Sequence, residues 1–296
     1  MTDLNRRELI GHLGLGATSI FVAPVFMNSI FAARELFADE PHVTVSPLNM
    51  ITDEDGIELG KRFSAQLEKE QPPVSNALID RYLSGLVVKL AAQSQRPNLP
   101  YAIKLMNSNI PGAYSLPGGF LYVYHGLIQS MSSECELAAL LAHQIGHVAG
   151  RHADNVLLRF FTDRHTLKPL LDNLDKQNSV IEELILRFGG AVSILSSLSF
   201  KLKDEEQADL LGFYEMLRAG WNPNGFLRLF AHLDNLNKTS ERTEGSFLSG
   251  HPIAPERTDL IRRELTEVRV PYSAITDSAR YQQFKSAMGR LPIPSK

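Results

Sequence analysis

The sequence predicts an α+β fold, mostly helical, with a small β-sheet beside one long buried helix. Two observations carry this: apolar residues recur at helical spacing in several separate stretches, and short strand-like runs occur only near residues 101–106 and 120–124. From Asp53 to about Ser94, Gly60, Phe63 and Leu67 form one stripe, Gln71-Pro72-Pro73 breaks it, and Leu78, Tyr82, Leu86, Val87 and Leu90 form a second. Pro97 and Pro100 bracket a turn ahead of an alternating strand, Tyr101 to Met106. Phe120-Leu121-Tyr122-Val123-Tyr124, introduced by Pro117-Gly118-Gly119, is the strongest strand. Ser133 with Glu136 three residues on predicts a capping box, and apolar residues continue that helix from Leu137 to about Leu158. Residues 162–190 mix charge with Leu and Ile at loose helical spacing. A second long helix is expected from Ala191 to Arg218, stopped by Gly220 and Pro223, and a shorter one from Phe226 to Leu236. Lys238 to Ser246 is polar and aperiodic, the pattern of a mobile loop, and an amphipathic helix follows at about Pro255 to Val268.

With 296 residues, 44% of them hydrophobic and 21% charged, the chain can build a sizeable core. A net charge of -3 offers no nucleic-acid surface. Cys135 is the only cysteine, which excludes an internal disulfide and throws any metal site onto His, Asp and Glu. Arg6 and Arg7 precede a stretch from Leu9 to Ala33 free of Asp, Glu, Lys and Arg, and small residues follow at Ala32, Ala33 and Ala38. This is the pattern of an export signal, and Asn5-Arg6-Arg7-Glu8-Leu9-Ile10 resembles the twin-arginine kind. Uncut, the run is long enough to span a bilayer and would anchor the body on the outer side of the inner membrane. The expected organisation is therefore a signal or anchor over 1–38, a catalytic-type domain over 39–270 and a C-terminal extension over 271–296.

His143-Gln144-Ile145-Gly146-His147 carries the chemistry. Two imidazoles four residues apart project from one helix face and can reach one ion. Chance alone yields about a quarter of such a pair from nine histidines in this length, so the pair by itself also fits two partly exposed helix histidines. Its setting argues otherwise: Ala138 to Ala142 and Val148-Ala149 make the helix apolar all round, and buried polar groups need partners. Gly146 and Gly150 open space for another helix, and Glu205-Glu206-Gln207-Ala208-Asp209 offers two acids one turn apart. Two histidines, one carboxylate and a position left for water describe a hydrolytic zinc site.

The run from Pro117-Gly118-Gly119-Phe120 through Glu136-Leu137-Ala138, His143 to His147 and Arg151-His152 to Glu205–Asp209 resembles metallopeptidase family forty-eight, the HtpX, BepA and CAAX prenyl endopeptidase type. The likeness covers most of residues 50–265 and is nearest to the soluble periplasmic BepA-like branch. It implies a gluzincin-type domain that holds one zinc ion through His143, His147 and Glu205, with Asp209 orienting a ligand histidine. It further implies that His251 restrains the metal, although a histidine in a polar loop otherwise reads as solvated, and that Arg257 stands near the site. Phe120–Tyr124 resembles the edge strand on which such peptidases align substrate, with Gly118, Gly119, Phe120 and Tyr122 as contacts; an ordinary core strand with a glycine turn fits the residues equally. The implied substrates are unfolded or misassembled envelope proteins, met in the periplasm or after secretion. One departure stands out: the family's HExxH glutamate is Gln144, which cannot accept the proton of an activated water. A zinc-binding pseudopeptidase that captures polypeptides uncut is the alternative, and a metal-free structural protein a third. The metzincin pattern needs a histidine at position 153, which is alanine, and His152 falls one short and points off the metal-facing side.

Overall fold

The computed structural model describes residues 52–156, 199–239 and 250–292. The export segment, residues 162–190 and the centre of the polar stretch after Lys238 lie outside them. In chain order the elements are α1 (Asp53–Glu70), α2 (Ala77–Ala91), β1 (Ala102–Met106), β2 (Ala113–Leu116), β3 (Phe120–Tyr124), α3 (His125–Ser130), α4 (Glu134–Ala149), α5 (Leu202–Ala219), α6 (Gly225–Thr239), α7 (Pro255–Glu267) and α8 (Ala279–Met288). The α+β expectation holds: among the described residues helices dominate and three strands form one mixed sheet beside α4.

Local chemistry starts the helices. Thr52 and Asp55 form a reciprocal capping box at α1, and the Asn76 side chain accepts from the backbone of Leu78 and Ile79 at α2. The box expected at α4 does not form. Ser133 caps without a side-chain bond, while Glu136 Oε2 accepts from the amide and hydroxyl of Ser132, each at 2.9 Å. Glu136 is thus already engaged one residue upstream of the cap. α4 also ends sooner than its apolar run suggests, at Ala149, because Arg151 takes a left-handed conformation (φ 56°) before a short helical turn resumes at His152. The helix expected over Ala191–Arg218 is seen from Leu202, with residues 199–201 outside any helix ahead of it and 191–198 outside the described residues. Lys238, expected in a loop, belongs to α6.

The sheet order is β1-β3-β2. β1 runs parallel to β3 with Ala102 opposite Phe120, and β2 runs antiparallel with Leu116 opposite Phe120. β3 is therefore central, hydrogen-bonded on both sides over its length, and no peptide can add to it. The aligning role expected for it is overturned.

α4 is buried along its whole length, and α5 packs against it. A methyl at Gly146 would sit 2.4 Å from the Ala208 carbonyl oxygen, and one at Gly212 would sit 2.8 Å from the Ala142 carbonyl carbon. Each helix thus places a glycine against an alanine of the other, and the backbones touch. Gly150 does something else: a methyl there would strike the His152 ring at 2.5 Å rather than α5. Near the C-terminus, α8 buries Tyr281, Phe284 and Met288 and packs on α2 and α3.

Further along α5, Glu215 is 1% exposed, and neither carboxylate oxygen has a hydrogen-bond partner among the described residues. Burial pushes its carboxyl well above the usual range. An acid raised in the folded state stabilises the fold below its unfolded pKa and loses that contribution as pH rises toward the folded value. Glu215→Gln should therefore flatten the pH dependence, melting closer to the parent at pH 5 and above it at pH 8; parallel melting curves at both pH values would remove this assignment.

Candidate metal centre

Four donors converge between α4, α5 and the segment before α7. His143 and His147 project from one face of α4, Glu205 from the first turn of α5, and His251 from the turn ahead of Pro255. One donor atom from each lies within 4.8 Å of all the others, and every one of the four residues is 2% exposed or less. His143 Nε2 lies 3.0 Å from His147 Nε2, 3.3 Å from His251 Nδ1 and 3.6 Å from Glu205 Oε2. Glu205 Oε1 lies 3.3 Å from His147 Nε2 and 2.9 Å from His251 Nδ1.

Those separations test whether a metal fits. Donors about 2.0–2.2 Å from one tetrahedral zinc stand roughly 3.3–3.6 Å apart, and the five measured edges fall at that spacing or a few tenths below it. His143 Nε2 and His147 Nε2, 3.0 Å apart, share one hydrogen when no ion is bound and can each turn a lone pair to a cation when one is. Burial, then the neighbouring His143, holds His147 well below its usual pKa. Burial also lowers His251, against the pull of Glu205. Burial would raise Glu205, but His251 and Arg257 outweigh it and keep the carboxylate ionised. Two histidines whose protonation burial disfavours, beside a carboxylate held ionised, form a donor set suited to a divalent cation.

Surrounding groups aim these donors. Asp209 Oδ1 accepts from His143 Nδ1 at 2.8 Å, which turns His143 Nε2 to the cluster. Arg257 donates to both oxygens of Asp209 (2.6 and 2.8 Å), places Nη1 2.6 Å from Glu205 Oε2 and donates to the Pro252 carbonyl at 3.0 Å. One guanidinium therefore ties both acids to the backbone beside His251. Burial opposes its charge, yet Asp209 and Glu205 raise its pKa above the usual value.

Seven of the residues singled out from sequence meet here: His143, Gln144, His147, Glu205, Asp209, His251 and Arg257. Gln144 is fully buried, with Nε2 3.4 Å from His251 Nε2 and Oε1 lacking a partner among the described residues. Gly118, Gly119, Phe120 and Tyr122 lie on or just before the central strand rather than a sheet edge. Methyls at Gly118 (φ 75°) and Gly119 (φ 95°) would meet Ile57 and Tyr101, so both glycines accommodate the protein's own chain. The Tyr122 hydroxyl donates to Glu68 of α1 at 2.9 Å. Two contacts were not anticipated. Phe200 stacks on the His147 ring at 4.0 Å, and His152 Nδ1 lies 2.9 Å from His147 Nδ1. The sequence places His152 in the family-like run and rejects it as a third metzincin-type histidine; its contact is with the far side of His147.

A family model described as peptidase family M48 matches residues 77–265. The chain is similar to the beta-barrel assembly-enhancing protease of Escherichia coli strain K12, 23% identical over 273 residues covering 89% of this chain and 53% of that protein. It is similar to the putative beta-barrel assembly-enhancing protease of Vibrio cholerae, 24% identical over 217 residues (72% and 44%). It is also similar to mitochondrial metalloendopeptidase OMA1 of Schizosaccharomyces pombe, 28% identical over 191 residues (64% and 54%). The chain spans about half the length of these relatives.

Removing the guanidinium would leave two buried carboxylates with one cationic partner fewer. Arg257→Met should destabilise the metal-free fold by about 3–5 kcal/mol, read from denaturant unfolding in chelator. A loss below about 1 kcal/mol, the level of a surface pair, would contradict the buried network.

Proposed function

The chain belongs to peptidase family M48, and from that membership and the donor cluster we propose a zinc metalloendopeptidase-type protein that binds one zinc ion through His143, His147 and Glu205. His251 is the fourth donor, displaceable by substrate or water. The observation that carries this is the convergence of four buried donor residues from three segments within 4.8 Å. When bound, zinc supplies a Lewis acid that polarises a peptide carbonyl and makes water acidic. Asp209 and Arg257 hold the donors in place, and Glu205 keeps the negative charge that retains the ion.

The substrate class is unfolded or misassembled envelope polypeptides, met outside the cytoplasm. Support comes from the export-type N-terminus and from relatives named as beta-barrel assembly-enhancing proteases. The N-terminal segment is either cut or kept as an anchor; among the described residues no helix is long and apolar enough to cross a membrane. Polypeptide is received on a surface other than β3, whose edges are filled.

A second reading is favoured by two features of the same site. Four protein donors close a zinc site, whereas hydrolytic zinc sites keep one position open. Gln144, at the general-base position, can accept a hydrogen bond but takes up no proton, and loss of such a base costs about a hundredfold to ten-thousandfold in rate. On this reading the protein is a zinc-binding pseudopeptidase that captures polypeptides and releases them uncut.

Incubating the purified chain, Gln144→Glu and the double variant Gln144→Glu/His251→Ala with unfolded casein separates the two. We expect the parent to cleave at least about a hundredfold more slowly than Gln144→Glu. The double variant should be the fastest, because it both restores the base and opens the fourth position. Parent cleavage equal to that of Gln144→Glu would place the proton acceptor elsewhere. Metal analysis finding no zinc on the parent would remove both readings.

A further inference from the structure

Asp209 settles which nitrogen of His143 faces the cluster, but the group behind His147 is a neutral ring. His152 Nδ1 lies 2.9 Å from His147 Nδ1, and His152 Nε2 lies 3.0 Å from Gln207 Oε1. Two neutral imidazole nitrogens at that distance share one hydrogen, so one donates and the other accepts. The cluster decides which. His147 turns Nε2 inward, 3.0 Å from His143 Nε2 and 3.3 Å from Glu205 Oε1, and a metal takes the unprotonated nitrogen. His147 then carries its hydrogen on Nδ1 and donates it to His152. Having accepted at Nδ1, His152 carries its own hydrogen on Nε2 and needs an acceptor there, which the Gln207 carbonyl oxygen provides. One requirement at the metal fixes three residues without conflict.

We propose that His152 and Gln207 are positioning residues for the metal, a neutral hydrogen-bond chain that holds His147 in its Nδ1–H form and aims Nε2 at the ion. This rests on the metal-centre reading given under Proposed function.

The backbone around His152 is built for the contact. α4 stops at Ala149, Arg151 adopts φ 56°, and His152 folds back to 1% exposure. A side chain at position 150 would occupy the ring's place, since a methyl there would lie 2.5 Å from His152 Nε2 and 2.8 Å from Cε1. Arg151 is held in its turn by Asp53 and by Asp154 at 3.4 Å. Phe200 stacks on the His147 ring with planes 29° apart, so the ring is fixed in orientation as well as in hydrogen bonding. Charge explains why a neutral chain stands where His143 has a carboxylate. Glu205 and Asp209 already share Arg257, and a third buried anion behind His147 would have no cation of its own among the described residues.

The test is zinc affinity of the full chain, by competition with a chromophoric chelator, together with the cobalt(II) absorption spectrum. His152→Phe keeps a ring and removes the acceptor. His152→Asn returns an acceptor oxygen near the Nδ1 position, and Gln207→Leu leaves His152 without its own acceptor. We expect affinity about 10- to 100-fold weaker for His152→Phe, a smaller loss for Gln207→Leu, and substantial rescue in His152→Asn. The cobalt spectrum should change in His152→Phe and return toward the parent's in His152→Asn. Parent-like affinity in His152→Phe overturns the proposal, as does a His152→Asn as weak as His152→Phe, which would mean the ring serves only packing. Should His152→Phe not fold, Gln207→Leu decides: weaker zinc binding supports the chain and unchanged binding overturns it. A parent that binds no zinc overturns the metal centre itself, a different result from a parent that binds while its variants bind equally.

Discussion

Imidazoles on one helix can share an ion with a carboxylate on another only if the two backbones come almost into contact. Gly146 and Gly212 permit that approach, each set against an alanine of the facing helix. His143, His147 and Asp209 each follow a residue of this seam by one position, and Glu205 lies one turn before Asp209. The small residues and the polar ones are therefore one device: the first set the distance and the second use it. A helix pair spaced by leucines, 8–10 Å between axes in ordinary packing, would hold the same donors too far apart.

Close approach creates an electrostatic difficulty that the neighbouring segments answer. Glu205 and Asp209 are both 0% exposed, and two buried anions one turn apart repel. Arg257 lies against both, and by also binding the Pro252 carbonyl it fixes the backbone next to His251. The fourth donor is thus positioned by the residue that neutralises the acids. His251 enters the cluster as part of the charge balance, which is why α7 belongs to the site although its only donor stands just ahead of it.

The parts legible in the sequence are those written locally. The pair at 143 and 147 and the acids at 205 and 209 follow helical period, and the apolar surroundings of the first pair marked it as buried. His251 carried no such mark, because nothing in its polar neighbourhood encodes a contact 108 residues from His143; only family likeness pointed to it. Phe120–Tyr124 was recognisable as a strand, but strand order is non-local, and β2 (Ala113–Leu116) is too short to announce itself as the partner that makes β3 central. The turn at Gly150-Arg151 was hidden for a related reason. Apolar residues continue past it at Ala153 and Val156, so hydrophobic periodicity runs on where the backbone does not. α8 was passed over because only Tyr281, Phe284 and Met288 of its ten residues are buried, a thin stripe in a polar tail.

Gln144 and His251 meet at one contact, and that bears on why a glutamine can stand in a peptidase site. A His251 that binds metal through Nδ1 carries its hydrogen on Nε2, which faces the Gln144 amide at 3.4 Å. The amide oxygen has no other partner among the described residues, and the two ends of an amide are nearly the same shape. A half-turn of the side chain gives His251 the acceptor it needs. Glutamine supplies that acceptor as well as glutamate would, without adding a third carboxylate to a pocket where Arg257 is the one guanidinium among the described residues. On the zinc-site reading proposed above, glutamine at the general-base position is compatible with a closed, four-donor arrangement. On that reading, the missing base and the filled fourth position are two aspects of one local structure, and opening the site requires breaking the contact between them.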